Sequence, residues 1–281
     1  MKAFNKANLD HHQEIASFWN ARTLRASELG SYCQKCVDYQ IRPELKRCGK
    51  QLEVLDLGCG NGLLSIFLAQ NYGFQVTGVD ISQTAIEFAR ETCQEQNAKV
   101  TFLNVDILDE SLDLPKYDLI IGHAVLHEFV GDDFGHLAQF LTGHVREDGY
   151  CSFLENNYFN FIFRYTREHL IGKKRVSHRL EYPFDRKRYS VLKEHFMYIR
   201  RDCPAVNLLD RFYWQLWPQW IRLRPLASAA TFMDYLLTIV LPSSLRVWAS
   251  YLQIVSFSQC PLEDRLHTEI LRRPWYPVYR I

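Results

Sequence analysis

Chemistry-bearing residues of this 281-residue chain cluster between Asp56 and Glu155. Asp56-Leu57-Gly58-Cys59-Gly60-Asn61-Gly62 places an acid and three glycines in one short turn. Glycine permits positive φ and close approach of a ligand to the backbone. Leu63, Leu64, Phe67 and Leu68 then recur at helical spacing, so the turn opens a helix whose first N–H groups face a ligand. Further on come Asp80 in GVDIS, Asp106 in NVDILD, His123 and His127 in GHAVLHEF, and Glu155. A nucleotide-like ligand is the first hypothesis. A dinucleotide loop wants a small residue at the position of Leu63, and its fingerprint contains no counterpart of Asp56. Asp80 lies 22 residues after Gly58, where a carboxylate can accept both hydroxyls of a ribose. Two histidines four residues apart are candidates for a base near neutral pH.

These residues need a scaffold, and the chain supplies one. From residue 51 it alternates strand and helix, which predicts a parallel sheet covered on both faces. Strands are expected at Leu52–Leu57, Phe74–Asp80, Val100–Asp106, Tyr117–Gly122 and Tyr150–Glu155, the last after a turn at Arg146–Gly149. Ser82 is placed to cap a helix with the stripe Ala85, Ile86, Ala89 and Cys93. A helix from about Asp185, a strand near Phe196–Arg200 and a strand at Ala249–Ser258 complete the set. Ligands of open α/β sheets bind at the carboxyl ends of strands, and the named carboxylates and histidines fall at those ends.

VLDLGCGNG, GVDIS, NVDILD, YDLIIGHAVLHEF and REDGYCSFLE resemble, in order and spacing, the motifs of class I S-adenosylmethionine-dependent methyltransferases, with the character of the ubiquinone/menaquinone-type small-molecule enzymes. The resemblance covers about residues 51–160. It implies an α/β, Rossmann-like, doubly wound sheet of seven strands, with strand seven antiparallel. It also implies a helical N-terminal lid over residues 1–50, a methyltransferase domain over 51–260, a helical insertion at 203–247 between strands six and seven, and a tail at 261–281. S-adenosylmethionine is the implied cofactor, held by Asp56, Gly58, Cys59, Gly60, Gly62, Asp80, Ile81, Asp106, Ile107 and His123. His127 and His123 are the implied catalytic residues, with His127 and Glu155 toward the substrate. The family commonly ends its strand-four motif in two histidines or Glu-His, whereas this chain has His127-Glu128. That swap keeps a second expectation open, a catalytically inactive S-adenosylmethionine-binding scaffold.

The implied acceptor is small and lipophilic: a quinol, a phenol or a lipid-like molecule. The insertion holds Trp214, Trp217, Trp220 and the apolar run Leu226–Leu241. It reads as core packing, as a cover for that acceptor, or as a segment resting on a membrane. Phe18, Trp19 and Tyr39 are lid candidates. Cys33 and Cys36 fit one helix face, and no metal site is expected. A formal net charge of +1 gives no electrostatic case for nucleic acid. The polar start MKAFNKANLDHHQE and the scattered cysteines lead to the expectation of a reduced, cytoplasmic setting.

Overall fold

The computed structural model describes residues 31–41, 51–109, 111–129, 131–157, 186–209 and 224–261, with positions 29, 160, 165 and 184. Its frame is one seven-stranded sheet in the order β3-β2-β1-β4-β5-β7-β6. The strands are β1 Glu53–Leu57, β2 Gln75–Asp80, β3 Val100–Asn104, β4 Tyr117–His123, β5 Val145–Asn156, β6 Tyr198–Asp202 and β7 Leu252–Ser258. The helices are α1 Ser31–Gln40, α2 Leu63–Tyr72, α3 Gln83–Glu95, α4 Asp133–His144, α5 Arg186–His195, α6 Arg224–Val240 and α7 Ser243–Ala249. β1 pairs in parallel with β2 and β4, and β7 runs antiparallel between β5 and β6. The seven-stranded Rossmann-like architecture expected from the sequence is therefore present.

Alternation along each strand divides the core into two layers. On one face Leu55, Leu57, Ile120, Phe153, Val255 and Phe257 pack under α4 and α5. On the other, Val54, Val76, Leu119, Ile121 and Tyr150 pack under α1 and α2. Burial on both faces explains why β4 is apolar apart from Asp118 and His123, and why β7 places only Gln253 and two serines among its apolar residues. Ser82 caps α3 as expected, its hydroxyl accepting from the Ala85 N–H at 3.1 Å.

One expectation changes. Arg146–Gly149 is not a turn before a strand but an irregular part of β5, which already pairs at Val145. Arg146 holds that irregularity in place by bridging Asp118, at 2.7 Å, and Glu53. Of the N-terminal segment, α1 is described, and it packs on the sheet beside the carboxyl end of β5. Cys36 and Tyr39 are buried against Leu154, Leu252 and Ile254, with Cys33 beside them. Phe18, Trp19 and the tryptophans at 214, 217 and 220 lie outside the described residues.

β1 sits at the point where strand order reverses, between β2 and β4. Crevices in such sheets open there, beyond the carboxyl ends of the strands. The following loops position everything described next.

Candidate functional site

The loop after β1 is closed by backbone and side-chain bonds. The Cys59 N–H donates to the Val79 carbonyl at 3.0 Å, and the Gly62 N–H to the Cys59 carbonyl at 2.9 Å. Gly62 starts α2 at φ 76°, and a Cβ there would lie 2.6 Å from Phe102 Cζ. Glycine is required at 62 by packing against β3 and α3, not by a ligand. Gly60 is different: at φ 52°, its missing Cβ would meet no protein atom within 4 Å. Its free side faces a cavity of about 290 Å³, which it lines.

Asp80 ties this loop to the next. One carboxylate oxygen accepts the Gly60 N–H and the other the Ser82 N–H, both at 2.8 Å. Burial raises its pKa, the Ser82, Gly60 and Ile81 amides oppose that, and Glu128 adds to the rise. Behind it Asp56 is almost fully buried. Asp56 Oδ2 accepts from the Ser65 hydroxyl at 2.6 Å, and Oδ1 has no hydrogen-bond partner among the described residues. Burial lifts Asp56 to about 7 against the opposing Ser65 hydrogen bond, with Asp80 contributing.

The cavity is lined by Leu57, Gly58, Gly60, Val79, Asp80 and Ile81 from the β1 and β2 ends, and by Val105, Asp106 and Ile107 after β3. His123, Ala124, Val125, Glu128 and Phe129 close it after β4. Ala124 adopts φ 57°, a region that a non-glycine residue seldom occupies and that concentrates at functional sites. Asp106 is steadied by the Leu108 N–H, which its Oδ1 accepts at 3.0 Å. Carboxylates beyond two adjacent strands, an open glycine and apolar walls fit an adenosine with a polar tail. Each Asp80 oxygen keeps a lone pair beyond the amide it already accepts, free for a ribose hydroxyl.

The two histidines have opposite fates. His123 lines the cavity, and burial pushes its pKa down to about 4, so it is neutral. Its Nε2 lies 2.6 Å from Gln40 Oε1, and Gln40 Nε2 donates to the Ser152 carbonyl. The amide oxygen can only accept, so His123 carries its hydrogen on Nε2 and keeps a lone pair on Nδ1. His127 is buried and not among the lining residues. Its Nδ1 lies 2.8 Å from Glu155 Oε2 and its Nε2 3.4 Å from Glu128 Oε1. Burial alone would lower its pKa, but Glu155 and then Glu128 outweigh burial and raise it to about 10.

The expectation that His127 acts as a base is therefore corrected, because an imidazolium held between two carboxylates has no lone pair to offer. Glu155 as a substrate contact is corrected too. It is fully buried, and its Oε1 accepts the Val125 and Leu126 N–H groups at 2.8 and 2.6 Å. Gly58, Gly60, Asp80, Ile81, Asp106, Ile107 and His123 are brought together around the cavity as expected. Asp56, Cys59 and Gly62 support the loop from behind. Sequence reasoning missed Glu128, though it stands directly after His127 in the same motif. It also missed Gln40, which no local signal connects to a histidine 83 positions away.

Residues 54–149 match the family model for a methyltransferase domain. The ubiquinone biosynthesis O-methyltransferase of Rickettsia akari (strain Hartford) is 37% identical over 114 residues, 39% of this chain and 42% of that protein. The malonyl-[acyl-carrier protein] O-methyltransferase of Acetivibrio thermocellus is 33% identical over 112 residues, 40% of this chain and 38% of that protein. The match thus spans about two fifths of the length of these relatives. The fold matches a magnesium protoporphyrin IX methyltransferase from Synechocystis PCC 6803, with bound SAH, at a TM-score of 0.51 and 20% identity, over 68% of this chain and 92% of that one. A TehB-like methyltransferase from Corynebacterium glutamicum matches at a TM-score of 0.50 and 15% identity, over 89% and 99%. Residues 54–149 are thus a methyltransferase domain, and the sheet has the fold of S-adenosylmethionine-dependent methyltransferases.

Proposed function

We propose that the chain transfers a methyl group from S-adenosylmethionine to a small, lipophilic acceptor such as a quinol, a phenol or a lipid-like molecule. The observation that carries this reading is His123: a neutral histidine with its tautomer set by Gln40, beside Asp80 and Asp106 in one apolar-walled cavity. When bound, S-adenosylmethionine supplies a methyl carbon already activated by a sulfonium. The protein is left to bind and orient. Asp80 holds ribose hydroxyls, Asp106 the adenine edge, and His123 Nδ1 accepts the hydrogen of the acceptor's hydroxyl. The test is release of S-adenosylhomocysteine with quinol, phenol or lipid extracts. No binding of S-adenosylhomocysteine by folded protein at millimolar ligand would sink the reading. Binding without turnover on any acceptor would favour the inactive scaffold.

His123→Ala should lower kcat by about 10²-fold, the lower end of the range for a group handling the acceptor's proton. The S-adenosylhomocysteine Kd should change by less than about threefold, because the adenosine contacts lie beyond β2 and β3. Since His123 titrates near 4, kcat of the wild type should show no histidine step between about pH 6 and 8. A kcat equal to wild type would remove His123 from the mechanism.

The acceptor's lipophilicity has separate support in the insertion. α6 is amphipathic in the reverse sense. Its buried Asp234 and Thr238 accept the Leu209 and Val206 N–H groups at 3.0 and 2.8 Å. Phe232, Met233, Leu236, Ile239 and Val240 are exposed, as are Leu245 and Trp248 on α7. No helix among the described residues is long and apolar enough to cross a membrane. A surface of this kind suits resting at a lipid interface. Sedimentation with phosphatidylcholine–phosphatidylglycerol vesicles should carry the wild type down and leave Ile239→Glu/Trp248→Glu in the supernatant. Equal partition of the two would remove the membrane contact.

A further inference from the structure

The segment after β4 contains a chain of charges that the methyl-transfer reading leaves unused. Glu155 is fully buried and accepts from two amides and His127 Nδ1. His127 in turn faces Glu128 at 3.4 Å. Only the last member of this chain reaches the cavity, where Glu128 stands in the same wall as His123 and Phe129. Arg188 of α5 fixes the segment from its other side, donating to the Phe129 carbonyl at 2.9 Å and the His127 carbonyl at 3.4 Å. Its cation is engaged with main-chain oxygens and is not among the lining residues. Among the described residues, the ionisable lining side chains are Asp80, Asp106, Glu128 and the neutral His123, with no lysine or arginine. Asp80 itself feels the Glu128 charge, so the two carboxylates share one region of the cavity.

We propose that Glu128 is a specificity residue that makes the cavity select the positively charged sulfonium of the donor over the neutral thioether of the demethylated product. His127 and Glu155 are positioning residues for it. The proposal rests on the methyltransferase reading and deepens it. Donor and product carry the same adenosine and the same amino-acid end, and they differ by one methyl group and one positive charge at sulfur. A carboxylate in an apolar-walled cavity acts on that difference more strongly than it would in water. Asp80 and Asp106 are committed to the adenosine, which leaves Glu128 to face the sulfur end. The trio Glu155–His127–Glu128 sums to one negative charge, and the buried imidazolium sets where that charge sits. Such selection favours product release after each turnover.

The experiment is calorimetric titration of the full chain with S-adenosylmethionine and, separately, S-adenosylhomocysteine, near pH 7.5. The wild type should bind the sulfonium about tenfold tighter, a modest share of a partly screened charge pair at this range. Glu128→Gln keeps shape and removes charge. It should weaken S-adenosylmethionine by about tenfold and leave S-adenosylhomocysteine within about twofold, so that the ratio falls to about one. Glu128→Ala, which removes the group altogether, should give the same ratio and serves if the glutamine variant folds poorly. Equal affinities in the wild type, or equal weakening of both ligands in the variants, would overturn the proposal while leaving the methyltransferase reading in place. Failure of folded wild type to bind either ligand would overturn both.

Discussion

Asp80→Ala is expected to weaken S-adenosylhomocysteine binding by at least about 10²-fold, and Asp106→Ala by about tenfold or less. The difference follows from what each carboxylate holds. Asp80 accepts the Gly60 and Ser82 N–H groups at 2.8 Å and retains a lone pair on each oxygen for two ribose hydroxyls. A hydrogen bond to a charged group contributes about 1.5–3 kcal/mol, so two of them set the scale. The alanine variant also frees the Gly60 amide, and the glycine loop keeps only the Cys59 N–H to Val79 carbonyl bond of the two described that join it to β2. Asp106 accepts the Leu108 N–H and has a single adenine group to recognise. Calorimetric Kd values for both variants decide the matter. Equal affinities would contradict the assignment of the β2 end to ribose.

Glu155→Ala should destabilise the fold by about 3–5 kcal/mol, the usual effect of removing one partner of a buried charge pair. It leaves the buried His127 imidazolium with only the longer Glu128 contact of its two carboxylates, and it leaves the Val125 and Leu126 amides without their acceptor. In a protein of this size the melting temperature should fall by about 10 °C. The pH dependence carries a signature as well. His127 has a folded pKa raised to about 10, above the ordinary value of about 6.5. Its contribution to stability is complete below about pH 6.5 and is lost as pH rises through about 10. Wild-type protein should therefore lose stability across that window, and Glu155→Ala should show little of the slope. Thermal melts at pH 6.5, 8 and 10 test both statements. A melting temperature within about 2 °C of wild type at pH 6.5 would show that the pair is not buried as described.

Much of this protein was legible in the residues because the information was local. Alternating apolar strands, the three glycines and Ser82 specify strand, turn and capped helix within a few positions of one another. The carboxylates Asp80 and Asp106 follow their strands directly, so finding the strands finds the site. The same locality misled at Arg146–Gly149, where charges and a glycine read as a turn. Distant Asp118 and Glu53 hold that stretch in the sheet. His127 shows the limit most clearly. Its type and place after β4 suit a base, but a histidine's proton depends on what surrounds it. Glu155, 28 positions away, meets it at 2.8 Å and keeps it charged. His123 is set in the opposite sense by Gln40, 83 positions earlier, and by burial. Sequence named the histidines, whereas their protonation states came from side chains that only the folded sheet brings beside them.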